Sequence, residues 1–223
     1  MDDYLKAILE LGGRSEDRVG GAALAERLGV RAASVTQMLQ KLALHKPPYV
    51  RYEKHRGVRL TQAGHMRAVE ILRHHRLLER FLHDFLDYPW DEVHEEAERL
   101  EHFISERLEE RIAAKLGDPE TDPHGHPIPA RNGEIASREE VPLSQWACGV
   151  TARVGSVSDR DPASLRELDR LGMKPGAQIL VEPGIRGAFL SVSIDCRAPV
   201  RIARRLAESA FLIADPSPRP KRD

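Results

Sequence analysis

Asp91–Leu116 reads DEVHEEAERLEHFISERLEERIAAKL, has no Gly or Pro, and follows Pro89. Asp91 and Glu92 open it, where the helix dipole favours negative charge. Val93, Ala97, Leu100, Ile104, Leu108 and Ile112 recur at spacings of three and four. That period predicts one helix over 91–116 with a buried face. Beside this stripe run His94, Glu98, Glu101 and His102, on one side of a helix. Imidazoles and carboxylates that converge in this way bind divalent transition metals. A solvated acidic face with two incidental histidines would show the same spacing. The preceding stretch tips the balance, because His75 and Glu79 again lie one turn apart. Two antiparallel helices offering such side chains can hold a metal between them. Ferritin-like Glu-x-x-His pairs are absent: Arg80, Asp91 and Arg99 stand three residues before His83, His94 and His102. Glu98 stands where a zinc protease would need its second His. The chemistry offered is ligation, without the nucleophile or acid–base pair of an enzyme.

The chain has 223 residues, 41% hydrophobic and 31% charged, enough for two domains or one large one. No apolar run approaches the roughly 20 residues needed to span a bilayer. Met1 is followed at once by Asp2 and Asp3, which argues against a signal peptide. Cys148 and Cys196 have no metal-site spacing. These features predict a cytoplasmic protein with free thiols and no membrane partner. The formal net charge of −1 hides an asymmetry. Residues 1–70 carry 12 Lys/Arg against 8 Asp/Glu, residues 71–130 carry 7 against 15, and residues 131–223 carry 15 against 12. A basic first third suits a polyanion and an acidic middle suits a cation.

The first third has the pattern of a nucleic-acid reader. Short helices are predicted over about 2–11, 22–28 and 32–44, with Gly29 breaking the last two apart. Helix, Gly turn, helix is the helix-turn-helix arrangement. Val35, Leu39 and Leu42 give the second helix an inner face. Ser34, Thr36, Gln37, Gln40 and Lys41 remain outside, the types that bond base edges and phosphates. Two alternating runs around Lys54-His55-Arg56-Gly57 form a hairpin carrying Arg51, Lys54, Arg56 and Arg59. A basic hairpin after a helix-turn-helix is a wing, suited to phosphates or the minor groove. Recognition falls to Ser34, Thr36 and Gln37, with Arg31, Lys41 and the four wing cations on the backbone.

Thr61 is a good N-cap for a long helix to about Leu86, near whose start Gly64 is tolerated. Its broad apolar surface suggests the scaffold of a homodimer. Pro119, Pro123, Pro127 and Pro129 mark a loop that holds His124 and His126. A Pro-rich loop is a poor rigid support, so neither histidine is assigned a metal role. From Gly149 the pattern changes to short β runs punctuated by Gly and Pro, with short helices over 164–171 and 199–209. The organisation expected is mainly α with a small β domain. A winged helix-turn-helix occupies 1–62, a helical metal-binding and dimerisation domain 63–130, and a linker 131–148. A β-barrel-like domain occupies 149–216 and a disordered tail 217–223.

The chain resembles the diphtheria toxin repressor and manganese transport regulator family of metal-dependent transcriptional repressors. The resemblance covers essentially the whole chain. Its most specific marks are Val35-Thr-Gln-Met-Leu-Gln-Lys-Leu42, Tyr52-Glu-Lys-His-Arg-Gly57, His75-Arg-Leu-Leu-Glu79 and Val93-His-Glu-Glu-Ala-Glu-Arg-Leu-Glu-His102. It implies an SH3-like C-terminal domain, a homodimer, and double-stranded operator DNA as partner. Asp3 falls where the family has a first-helix ligand. Glu98, Glu101 and His102 match the core metal motif. His75 and Glu79 match a second pair, and His94 matches a histidine of the ancillary site in iron-type members. Asp161 aligns loosely with a ligand from the SH3-like domain. Iron-type members have cysteine at position 98 and manganese-type members glutamate, so the resemblance implies Mn²⁺, with Fe²⁺ the alternative. Lys6 stands where manganese-type members carry a second first-helix carboxylate. A cation there cannot ligate, which implies separate core and ancillary sites rather than a two-manganese cluster. The competing expectation is a metal-binding protein or metalloenzyme without DNA function.

Overall fold

The structure, a computed structural model, describes residues 1–12, 18–183 and 187–215. The chain divides into two compact units. The first comprises Met1–His75, Leu100–Glu109 and Pro129–Ile135; the second comprises Arg76–Arg99, Glu110–Ile128 and the chain from Ala136 on. The helical region predicted over 63–130 therefore contributes residues to both.

The first unit begins with α1 (Asp2–Gly12), α2 (Gly21–Leu28) and α3 (Ala32–Leu44). Leu5, Ile8, Leu24, Val35, Leu39 and Leu42 close one core with Val50 and Val58. Gly29 ends α2 in the left-handed conformation at φ 62°, where its N–H reaches back to the helix carbonyls. The wing follows as β1 (Val50–Glu53) and β2 (Gly57–Leu60), antiparallel with Val50 opposite Leu60. Then α4 (Gln62–Leu86) starts as its N-cap predicts: Thr61 Oγ1 accepts from the Gly64 N–H at 3.1 Å. Gly64 is more than tolerated. A Cβ there would lie 1.9 Å from the Tyr49 carbonyl oxygen, so α4 can approach the wing only with glycine at this position.

The predicted helix over 91–116 is two helices, α5 (Val93–Leu100) and α6 (Glu106–Leu116). Ser105 is the reason on the α6 side: its Oγ and carbonyl both accept from the Leu108 N–H, at 3.3 and 2.8 Å. A serine N-cap of this kind competes with continued helix. Glu101 and His102 consequently sit in a turn and not on a helix face.

In the second unit a six-stranded antiparallel sheet has the order β3-β8-β4-β5-β6-β7. Its strands are β3 (Val141–Pro142), β4 (Thr151–Val157), β5 (Gln178–Glu182), β6 (Phe189–Ile194), β7 (Val200–Ala203) and β8 (Ala210–Ala214). Two helices accompany it, α7 (Pro162–Leu171) and α8 (Arg204–Ala207). Val154, Leu165, Leu168, Met173, Ile179, Val192 and Leu212 fill the core of this SH3-like domain. Two local expectations differ. The stretch read as linker contains β3, which pairs with β8. The helix expected over 199–209 is shorter: its first part is strand β7, where Val200 and Ile202 alternate inward at period two, and only Arg204–Ala207 is helical. The expected disordered tail, 217–223, lies outside the described residues. No helix among the described residues is long and apolar enough to cross a membrane.

Replacing Gly64 tests the close approach of α4 to Tyr49. The Gly64→Ala protein should lose about 1–3 kcal/mol in urea denaturation, the usual cost of overpacking, although alanine is the better helix former. Equal or greater stability would contradict the 1.9 Å approach.

Candidate metal centres and DNA-binding face

Within the first unit, Asp3, Glu101 and His102 bring one ligand atom each within 4.8 Å of one another. α1 supplies Asp3 and the turn after α5 supplies the other two. His102 Nε2 lies 2.7 Å from Asp3 Oδ1 and 3.6 Å from Glu101 Oε1. The Glu101 side chain is fully buried, and His75 Nδ1 lies 2.6 Å from its Oε2. Lys6 completes the cluster. Its ammonium, itself buried, donates to both Glu101 oxygens at 2.7 and 2.8 Å. A carboxylate oxygen has two lone pairs, so Lys6 does not exhaust Glu101 as a ligand. It does place a fixed positive charge against that carboxylate. Of the predicted core ligands three meet here; Glu98 belongs to the second unit, on the exposed side of α5, with Oε1 4.0 Å from His94 Nε2.

The second unit holds another cluster. Glu79, His94 and Asp159 each bring a ligand atom within 4.8 Å of the others. His94 Nδ1 lies 3.0 Å from Glu79 Oε1 and 3.5 Å from Asp159 Oδ2. Buried His124 faces the same carboxylate, with Nδ1 3.8 Å from Glu79 Oε1. His124 Nε2 donates to the Trp90 carbonyl at 2.9 Å, so Nδ1 is the nitrogen turned to Glu79; once deprotonated it would have the arrangement of a metal ligand held by its outer partner. Asp122, His124 and His126 form an adjoining triad. Predicted His75, one turn before Glu79 along α4, is the last residue of the first unit and is engaged with Glu101.

Charge is concentrated in this second cluster. Burial opposes the charged form of His124, yet Glu79, Asp122 and Asp159 raise its pKa to about 9. Burial likewise opposes protonation of His126, and Asp122 raises it above the ordinary histidine range. Asp159 resists the effect of burial because His126, His94 and His124 hold its pKa below the usual carboxylate value. Three carboxylates facing three imidazoles, in a largely buried setting, are a donor set that fits a divalent transition ion.

Four of these residues, Asp122, His124, His126 and Asp159, were given no metal role from the sequence. The Pro-rich loop was expected to be a poor support, but Asp122 Oδ1 accepts from the amides of His124 and His126 at 2.8 and 3.0 Å. Gly125 sits at φ 91°, where a Cβ would lie 2.2 Å from the Gly155 oxygen. The close spacing of two histidines with Asp122 was the available signal. Asp159 had none. Asp161, the expected ligand, is instead the N-cap of α7, accepting from the Ala163 N–H at 3.1 Å and from Ser164 Oγ at 2.7 Å. Its Asp-Pro sequence before a helix carried that information.

On the DNA-binding side, Ser34, Gln37 and Lys41 are exposed on α3, opposite buried Val35, Leu39 and Leu42. Arg31 is exposed at the α3 N-cap. Thr36 is half-buried and its hydroxyl donates back to the Ala32 carbonyl at 3.2 Å, so it offers its methyl group more readily than a hydrogen bond. Arg51, Lys54 and Arg56 are exposed on the wing and Arg59 is half-buried.

Lys6→Met tests the internal cation. Removing one partner of a buried pair costs about 3–5 kcal/mol. The metal-free protein should lose that order of stability in urea, while its Mn²⁺ affinity by calorimetry rises. Unchanged affinity would mean that Lys6 does not oppose the metal.

Three family models match the chain in succession. The iron dependent repressor N-terminal DNA binding domain matches residues 1–58, its metal binding and dimerisation domain 61–130, and the FeoA domain 141–211. The iron-dependent repressor IdeR of Mycobacterium leprae is 32% identical over 85% of this chain and 86% of its own length. The diphtheria toxin repressor of Corynebacterium diphtheriae is 34% identical over 56% of this chain and 54% of its own. A solved structure described as a manganese-dependent transcriptional repressor complex with manganese superposes with a TM-score of 0.86 at 39% identity, covering 96% of this chain and 99% of that one. The chain belongs to the diphtheria toxin repressor and manganese transport regulator family of metal-dependent transcriptional repressors.

Proposed function

We infer that the protein is a manganese-activated repressor that binds double-stranded operator DNA as a homodimer in the cytoplasm. The observation that carries this is the meeting of Asp3, on the first helix of the DNA-binding domain, with Glu101 and His102. An ion held by these three side chains would join that helix to the turn before α6. A ligand shifts an equilibrium only by binding one state better, and a site assembled from two chain segments is present only when they are together. Glu79, His94 and Asp159, with His124, His126 and Asp122 beside them, supply the second site. Phe85 and Leu86 expose apolar surface at the end of α4, as a dimer scaffold requires. Two winged helices at a fixed spacing would meet successive major grooves about 34 Å apart.

Manganese is favoured by the donor set. Carboxylate oxygens outnumber nitrogens among the core ligands, and no thiolate is present among them. Glu98, where iron-type relatives carry cysteine, points the same way. Fe²⁺ is the second choice, and several relatives are named for iron dependence.

A gel shift on the DNA upstream of the chain's own gene, titrated anaerobically with Mn²⁺, Fe²⁺ and Zn²⁺, tests this function. Wild-type protein should bind in the presence of Mn²⁺ and release DNA when the metal is chelated. Glu101→Gln should remove the metal response and leave a folded dimer. Normal Mn²⁺ activation of that variant would refute the core assignment. Glu98→Cys should shift the response towards Fe²⁺; strong Fe²⁺ activation of the wild type with none by Mn²⁺ would overturn the metal choice.

DNA contacts separate by salt and sequence dependence. Lys54→Ala should weaken binding to all sequences and lower the salt slope by about one unit. Gln37→Ala should alter preference at one base pair by roughly 1–3 kcal/mol in a competition assay on operator variants. A uniform loss from Gln37→Ala would make it a backbone contact.

A further inference from the structure

A third group of side chains lies apart from both sites. Glu70 and His74 stand one turn apart on α4, and Glu106 begins α6. Each brings a ligand atom within 4.8 Å of the others. His74 is buried, with its side chain 4% exposed, and its two nitrogens have different surroundings. Nδ1 donates to the Glu101 backbone carbonyl at 3.3 Å. Nε2 is buried without a hydrogen-bond partner among the described residues. It points at carboxylates all the same: Glu106 Oε1 lies 3.6 Å away and Glu109 Oε2 3.8 Å away.

Those distances are too long for a hydrogen bond. They suit two donors on a common ion. Bonds of about 2.0–2.2 Å at a tetrahedral angle place the donor atoms about 3.4 Å apart. A buried nitrogen that neither donates nor accepts costs roughly 1–3 kcal/mol, a cost that coordination would remove. The backbone bond at Nδ1 is the outer partner that orients metal-binding histidines. Two cations stand nearby, and both have assigned carboxylates. Arg73 pairs with Glu109 at 2.7 Å, and Arg67 bridges Asp2 and Glu70 at 2.7 Å each. Glu106 has no such arginine among the described residues.

We propose that Glu70, His74 and Glu106 form a third divalent transition-metal site that clamps the start of α6 to α4. One imidazole and two carboxylates leave positions open for water, so the site binds more weakly than a closed four-residue site. Its position gives it a task. His74 is bonded to the backbone of Glu101, and Glu106 follows the 101–105 turn that presents Glu101 and His102. Occupancy would hold that turn in place and so raise affinity at the core site. This last step rests on the core assignment; the site itself does not.

Glu70 and Glu106 are 36% and 70% exposed, so their replacement by glutamine leaves the fold intact. The test counts metal by calorimetry and by elemental analysis after equilibrium dialysis, with Mn²⁺ and separately with Zn²⁺. The Glu70→Gln, Glu106→Gln double variant should bind one ion per chain fewer than the wild type, and its core-site affinity should fall several-fold. Crystals soaked in Mn²⁺ or Zn²⁺ should show an anomalous peak against His74 Nε2. Wild-type stoichiometry in the double variant, or no peak at His74 with either saturating ion, overturns the third site. If Glu101→Gln and Asp159→Asn each still remove one ion, the repressor function stands without it.

Discussion

The buried pair of Lys6 with Glu101 is the contact on which the first unit's arrangement depends. Neither charge could stay in a dry interior alone, since several kcal/mol of desolvation per ion must be offset by geometry. The geometry here is good: one ammonium bonds both oxygens of one carboxylate, and His75 takes a further position on it. The pair joins α1 to the turn before α6 across 95 residues of sequence. A second link runs parallel, from Asp2 to Arg67 on α4. These ion pairs tie α1 to the turn before α6 and to α4 without an ion, and a metal at the proposed Asp3–His102 site would add to them. The fixed Lys6 cation would also lower the affinity of an ion that settles beside it.

The two main centres solve the same electrostatic problem in different ways. At the core, negative charge is balanced by Lys6, a group that no divalent ion replaces. In the second unit, Glu79, Asp122 and Asp159 are balanced by imidazoles that they hold protonated beyond the usual histidine range. An imidazole must give up its proton to coordinate. Metal binding there would exchange protons for an ion; at the core it would add an ion to a charge that stays.

Much of the DNA-binding domain was legible because its signals are local. The limits of α3, the Thr61 cap and the wing follow from residues within a few positions of each other, and Val35, Leu39 and Leu42 carry the helical period plainly. The candidate metal cluster was legible in part. Asp3, Glu101 and His102 lie together, but the reason given by helical spacing was wrong, since a turn presents Glu101 and His102. Nothing in the run from Asp91 to Leu116 breaks a helix by itself. The break is made by the Ser105 cap together with contacts to Glu101 from residues 26 and 95 positions away, which no window of sequence contains. Asp159 was invisible for the same reason: it lies in the loop after β4, 65 residues beyond His94 in the chain. His124 and His126 were visible but discounted, because proline content was taken as a measure of looseness. Their loop is held by the carboxylate of Asp122 and by a glycine pressed against Gly155.

The broken helix also explains how so many ligands fit on so short a stretch. A continuous helix would place His94, Glu98, Glu101 and His102 on one stripe, spread along about 12 Å of axis at 1.5 Å per residue. Ending α5 at Leu100 releases the next residues from that geometry. Glu101 turns inward to full burial against Lys6 and His75, while His102 reaches Asp3. His94 stays on α5 and serves Glu79 and Asp159. One motif thus supplies two candidate centres with different partners. The backbone of Glu101, freed from the helix, is the acceptor that aligns His74 towards Glu106.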